Sequence, residues 1–97
     1  MMLYVAFIKN RPRWQLGHTD LQAKSRRWWN EGGRPAGIRT LGFYGTLGTE
    51  TPDVIIFEAA SHEDIRRMIE YWNDLDFEVH PAIDLADAFR RQGMKIG

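Results

Sequence analysis

Two side chains in this sequence stand where they could move protons. His80 is the one histidine expected on a strand, and an imidazole needs little perturbation to titrate near neutral pH. Glu58 ends an apolar row of its strand, where partial burial would make its carboxylate a stronger proton acceptor. Glu78 shares a strand face with His80 and could orient it. His80 and Glu58 are therefore the candidate bases, although a rim histidine or a carboxylate paired with arginine would have the same pattern.

Aromatic side chains are candidates for the wall of a small, mostly apolar ligand site. Tyr44 is the strongest of them, because its neighbours on the same strand face are small and its hydroxyl could orient a substrate. Tyr4, Trp28 and Trp72 are the other candidates for this wall. Trp72 also completes the apolar stripe of a helix, so a position in the core is the stronger expectation for it.

Several other chemistries lack the residues they need. The chain has no cysteine, which excludes thiolate catalysis, disulfides and sulfur-based zinc sites. Its histidines, His18, His62 and His80, have no metal-ligand spacing, so no metal site is predicted. The glycines of residues 42–48 precede another strand rather than a helix N-terminus, which argues against a phosphate loop. Acid/base chemistry without a cofactor is the expectation, and a flavin or haem reaction using His80 stays open.

The charge and hydropathy of the chain bear on its partners and location. Thirteen Lys and Arg residues balance thirteen Asp and Glu residues, so no strong field attracts nucleic acid or an anionic membrane. No apolar run approaches the roughly 18 residues of a spanning helix, and the start Met1-Met2-Leu3 lacks the features of a signal peptide. We expect a cytoplasmic protein that binds neither nucleic acid nor membrane.

Four segments have the pattern of strands. Apolar runs at residues 3–8 and 54–57 predict strands that are buried on both faces. Residues 77–80 alternate and end at Pro81, which predicts an edge strand. Residues 38–46 also alternate, with one face formed by Leu41, Phe43 and Gly45 and the other by Thr40, Gly42, Tyr44 and Thr46.

Three segments have helical patterns. The first begins near His18-Thr19-Asp20 and is stopped by Gly32-Gly33. Asp84 caps the last, at residues 85–91. Ser61 caps the second, whose apolar residues recur at helical spacing: Ile65, Met68, Ile69 and Trp72.

The order of these elements is βαββαβ with a C-terminal helix, which predicts an α+β, ferredoxin-like fold in a single domain of residues 1–97. An antiparallel four-stranded sheet of this kind carries its helices on one face. Strands one and three are nevertheless apolar at nearly every position, so the other face needs a cover. A second copy of the chain is the simplest cover, and we therefore expect a homodimer or a higher homo-oligomer.

Three stretches carry a resemblance to a known family: residues 72–81, the start Met2-Leu3-Tyr4, and residues 85–88. They resemble a bacterial and archaeal family known as a domain of unknown function, number 3303. That family is similar to the dimeric α/β barrels of the ferredoxin-like class. The resemblance implies a fold and a dimer but no activity, because related barrels include cofactor-independent monooxygenases, lactone isomerases, haem-degrading enzymes and small cyclases.

These observations favour a small dimeric barrel that holds a small, largely apolar ligand. As an enzyme it would use acid/base chemistry, with His80 or Glu58 as base and Tyr44 as orienting donor, and the resemblance to those barrels implies a monooxygenase, isomerase or cyclase. The alternative is a non-catalytic module whose role is assembly. A cavity of a few hundred Å³ lined by Tyr44 and an ionisable side chain would favour the first interpretation.

Overall fold

The computed structural model describes residues 1–9, 19–48 and 51–97, with the side chains of residues 19–21 left out. The element order is βαββαβα, as expected for a ferredoxin-like α+β fold. The expected loop after Lys9 and the helix start at His18 lie outside the described residues. The elements are β1 Met2–Ile8, α1 Thr19–Asn30, β2 Ile38–Tyr44, β3 Asp53–Ala59, α2 His62–Tyr71, β4 Phe77–Pro81 and α3 Leu85–Arg91.

The four strands form one antiparallel sheet in the order β2-β3-β1-β4. The two apolar strands, β1 and β3, are therefore its centre, where each pairs on both sides. Val5 of β1 lies opposite Ile56 of β3 on one side and opposite His80 of β4 on the other. The edge position of β4 is confirmed, and the strand ends at Pro81, which has no N–H to donate.

One face of the sheet forms the core with α1 and α2. Along β1 the buried residues alternate, with Tyr4, Ala6 and Ile8 all directed to this face. The Tyr4 ring stacks on Phe57, which is fully buried, with 5.6 Å between ring centroids. In the same cluster, α1 contributes Trp28, α2 contributes Met68, and Trp72 lies at the C-cap of α2.

The opposite face, which we call the open face, carries the other half of each central strand. Its apolar side chains are half-buried and belong to no part of the core cluster: Leu3, Val5, Phe7, Val54 and Ile56. Within the described part of the chain, no helix buries a residue against them. The central strands therefore carry an apolar surface on both sides, as their sequences predict.

The expected alternation of β2 is wrong at its centre. A β-bulge lies between Thr40 and Gly42, so the residues before and after it follow different alternations. Thr40 pairs with Phe57 and lines the core side with Phe43, whereas Gly42 and Tyr44 lie on the open face. A bulge adds one residue to one strand, and a strict period of two cannot reveal it.

The helix ends follow the expected capping chemistry. The Ser61 hydroxyl accepts a hydrogen bond from the Asp64 amide at 3.3 Å, and the Asp84 carboxylate accepts one from the amide three residues later at 2.9 Å. Gly32, just after α1, has φ +80°, a left-handed conformation that glycine adopts without strain. Ile69 differs from expectation, because it is 47% exposed and leaves the stripe of α2 narrower than predicted.

Asp53 holds the connection between β2 and β3. Among the described residues, Asp53 is the one charged residue that is buried, with 1% exposure. Its Oδ1 accepts a hydrogen bond from the Thr46 amide at 3.3 Å. A buried carboxylate needs such donors, so Asp53 fixes the position where β2 leaves the sheet. No helix in the described ranges is both long and apolar enough to cross a membrane.

Candidate functional site

The structure separates the candidate residues into two groups on opposite sides of the sheet. Tyr44, Glu58 and His80 lie on the open face, whereas Tyr4, Trp28 and Trp72 are buried on the core side. The three candidates for proton transfer thus share the surface that also carries the apolar side chains of β1 and β3. The three buried aromatics do not reach that surface.

Across the open face, a row of four residues runs from one sheet edge to the other: Gly42, Ile56, Val5 and His80. Its centre is apolar and its ends are polar, because the Tyr44 ring covers Gly42 at one end and the imidazole stands at the other. The backbones of β2 and β4 are three strand spacings apart, roughly 14 Å. One copy of the chain therefore does not bring Tyr44 and His80 together on a single reacting bond.

His80 belongs to a hydrogen-bonded group of three side chains at the β4 edge, together with Glu78 and Lys9. Its Nε2 lies 3.2 Å from Oε2 of Glu78, and Oε1 of Glu78 accepts a hydrogen bond from the ammonium of Lys9. An ionised carboxylate only accepts hydrogen bonds, so Nε2 of a neutral imidazole must carry the hydrogen. Nδ1 is then left as the basic nitrogen of the ring.

The hydrogen bonds among these three side chains shift the pKa of two of them. The hydrogen bond from Lys9, followed by that from His80, holds the pKa of Glu78 below its ordinary value of 4.5. The same hydrogen bond raises the pKa of Lys9 above 10.5. Glu78 is therefore ionised throughout the neutral range and can orient the imidazole there. All three side chains are about half exposed to solvent, and bulk water reaches them.

Glu58 stands at the other end of the open face, beside the start of β1. It pairs across the strands with Leu3 and Arg39, and its Oε1 lies 3.7 Å from the Arg39 guanidinium. Its side chain is 28% exposed, so water reaches this carboxylate as well. The alternative in which Glu58 meets an arginine is therefore realised.

An apolar cavity lies on the core side, between the sheet and the two helices. Its volume is about 40 Å³, far below the roughly 300 to 1,000 Å³ of ordinary ligand pockets. Trp28 and Trp72 line it and their rings pack at 5.6 Å, whereas Tyr4 does not border it. The cavity touches neither Tyr44 nor an ionisable side chain, and it has the size of an imperfection in core packing.

A wider depression of about 430 Å³ lies beyond the end of α1. It is shallow and open to solvent, and Arg34, Arg67, Glu70 and Tyr71 border it. Arg67 lies 3.5 Å from Glu63, and the mixed charges give no field of one sign. Its form therefore favours an ordinary solvated surface over a ligand site.

Sequence reasoning missed two contributors to the open face. Lys9 follows β1 directly, and only the register with β4 places its ammonium on Glu78. Arg39 reaches Glu58 through the pairing of β2 with β3. The sequence does contain a signal for these two cations, because Lys9 and Arg39 each follow a buried strand residue and so point to the opposite face. Their carboxylate partners could be identified only once the strand pairing was known. Among the described side chains, no three His, Asp or Glu gather as a metal site would require.

Comparison with known proteins gives one family and no individual relative. Neither a search of curated proteins nor a search of solved structures finds a match. A family model described as Domain of unknown function (DUF3303) matches residues 2–93, nearly the whole chain, and includes every open-face residue discussed above. Residues 72–81, which carry the resemblance seen in the sequence, lie within this match. The chain belongs to the DUF3303 family.

Proposed function

We propose that two copies of this chain pack open face to open face and hold a small, largely apolar ligand between them, with His80 as the acid/base group. One observation carries the proposal. The open face combines a half-buried apolar centre with an oriented imidazole at its edge. Apolar floors with a few placed polar groups are the usual composition of small-ligand sites.

The apolar centre supports the dimer. The five half-buried residues of β1 and β3 form a continuous surface without a covering layer in the described chain, and such surfaces mark interaction sites. A two-fold dimer matches this surface with itself. Packed sheets stand about 10 Å apart, so side chains fill the centre of such an interface and a small molecule can replace part of that filling.

The polar ends support proton transfer. With Glu78 accepting from Nε2, Nδ1 of His80 can take a proton from a bound ligand and return it. Glu58 with Arg39 is the second acid/base candidate, at the start of β1. Tyr44 would form the wall at the far edge, since its distance from His80 within one copy prevents both from acting on one bond.

The test uses 2-naphthol, a small apolar molecule with a single exchangeable hydroxyl. Titrated into labelled protein and followed by NMR, it is expected to shift the amides of Val5 and Ile56 and the ring signals of His80. Ile56→Lys should abolish the binding, because a charged side chain then occupies the apolar centre. The matched control is Ile69→Lys on α2, an exposed position on the opposite layer, which should bind the probe normally.

Two results would contradict the ligand proposal. Shifts confined to Trp28 and Trp72 would move the site to the core cavity, and unchanged binding in Ile56→Lys would remove the open face from it. A dimer that binds no such molecule would favour the alternative of an assembly module. For any substrate whose reaction requires proton transfer, His80→Ala is expected to lower kcat by about 10². Glu58→Gln tests the second base in the same assay.

A further inference from the structure

The C-terminal arm, residues 83–97 with α3 at its centre, has no buried residue. Leu85 and Phe89 lie one helical turn apart and are 57% and 42% exposed. The exposed apolar side chains of the arm are Ile83, Leu85, Phe89, Met94 and Ile96. Such a dense apolar surface is unusual for an element that packs only against water.

The arm is nevertheless built as an ordered element. Asp84 caps α3, the guanidinium of Arg90 donates to the carbonyl of Ile96 at 3.1 Å, and Gly93 turns the chain with φ +88°. A helix of seven residues is marginal in water without packing against another surface. The arm therefore has local structure that calls for a partner surface, and the core of its own chain does not supply one.

The arm leaves the sheet beside the open face. The Ala82 amide donates to the Leu3 carbonyl at 2.9 Å, so the chain departs next to the first residues of β1. Leu3 itself is an open-face residue. A copy packed on this face would thus lie immediately beside the root of the arm.

The area of the open face gives the second argument. Three strands of seven residues and one of five, about 4.8 Å apart, cover roughly 400 Å² per copy, and two copies bury about 800 Å² in total. Stable interfaces bury about 1,200 to 2,000 Å². A helix of this length, about 10 Å long and 10 Å across, brings the total to about 1,200 Å², the lower end of that range, when two arms each cover an equal area of the other copy.

We infer that the C-terminal arm packs against the second copy of the chain in the dimer, with Leu85 and Phe89 as its contacts. The inference rests on the proposed open-face dimer. Exchange of two arms around the two-fold axis adds the area that the sheets lack and covers the apolar stripe of α3. Dimer strength should then depend on side chains that contribute nothing to the core of their own chain.

The test is sedimentation velocity of the full chain carrying both Leu85→Gln and Phe89→Gln. Glutamine is a good helix former, so α3 can persist, and circular dichroism checks that it does. We expect the dimer dissociation constant to rise at least 10-fold. The control is Arg91→Gln, which changes an exposed polar residue of the same helix and should leave the dissociation constant unchanged within about twofold.

The outcomes separate this inference from the open-face dimer. If Val5→Lys dissociates the dimer and the double arm variant does not, the open-face dimer stands and the arm inference is overturned. If the arm variant alone weakens the dimer, the arm contact is supported and the open face is not its partner surface. A wild-type chain that is monomeric at micromolar concentration overturns both.

Discussion

The Tyr44 ring lies over the backbone of Gly42 on the open face. A Cβ atom at Gly42 would stand 2.6 Å from Cε2 and 2.8 Å from the hydroxyl oxygen of Tyr44, far inside van der Waals contact. The ring therefore occupies the space that a side chain at Gly42 would need. Through this relationship an aromatic hydroxyl joins the row that continues through Ile56 and Val5 to His80.

Gly42→Ala is expected to displace the Tyr44 ring while leaving the fold intact. Tyr44 is 57% exposed and can move aside, so the free energy of unfolding should change by less than about 1 kcal/mol. The ring signals of Tyr44 in NMR spectra should shift clearly. Gly45→Ala is the matched control, because its nearest neighbour stands at an ordinary 3.7 Å. Unchanged Tyr44 signals in Gly42→Ala would show that the ring does not lie there.

Trp72→Ala should destabilise the protein by about 3 to 5 kcal/mol, because it removes a large core side chain and leaves a cavity beside Trp28. Arg66→Ala, on the outer side of α2, should cost far less than Trp72→Ala. Arg66 forms ion pairs with Glu63 and Glu70, but all three side chains are exposed. Chemical denaturation measures both variants, and similar losses would refute the assignment of the two helix faces.

The Lys9 and Glu78 pair should appear in the pH dependence of the protein. Because the pKa of Glu78 is lowered on folding, its contribution is present above 4.5 and is lost as the pH falls through the lower value of the folded state. Because the pKa of Lys9 is raised, its contribution is lost only as the pH rises beyond 10.5. NMR titration of Glu78 should give a pKa below 4.5, and Lys9→Met should raise it.

A Glu78 carboxylate that titrates identically with and without Lys9 would contradict the pairing. Stability gives a second readout, since wild type and Lys9→Met should converge in strongly acidic solution, where Glu78 is protonated in both. The matched control is Lys24→Met, because Lys24 is paired with Asp74 and lowers the pKa of that carboxyl instead.

The general fold could be predicted from the sequence because its strands and caps are local signals. Ser61, Asp84 and Gly32 mark helix ends through interactions within a few residues, and β1 is a continuous apolar run. The bulge after Thr40 could not be predicted, because it depends on how β2 meets β3. The alternation of β4 predicted that Glu78 could orient His80, because the two residues are neighbours on one strand face. The contact of the Lys9 ammonium with the same carboxylate joins residues 69 positions apart and could not be predicted.

The candidate site could be predicted from the sequence only in part, for the same reason. Periodicity assigned Trp72 to the core, and the structure also buries Tyr4 and Trp28, which removes all three aromatics from the open face. Separating them from Tyr44 required the strand order and register. Sequence patterns identify candidate residues, whereas the pairing of strands determines which of these residues lie on the same face of the sheet.

Sedimentation equilibrium of the wild-type chain beside Val5→Lys tests the central claim most directly. Val5 lies at the centre of the open face, between Ile56 and His80. We expect a wild-type particle of twice the 11.3 kDa chain mass at micromolar concentration, and a folded Val5→Lys chain of the single mass. A folded wild-type monomer, or a Val5→Lys variant that dimerises as strongly as wild type, would contradict it.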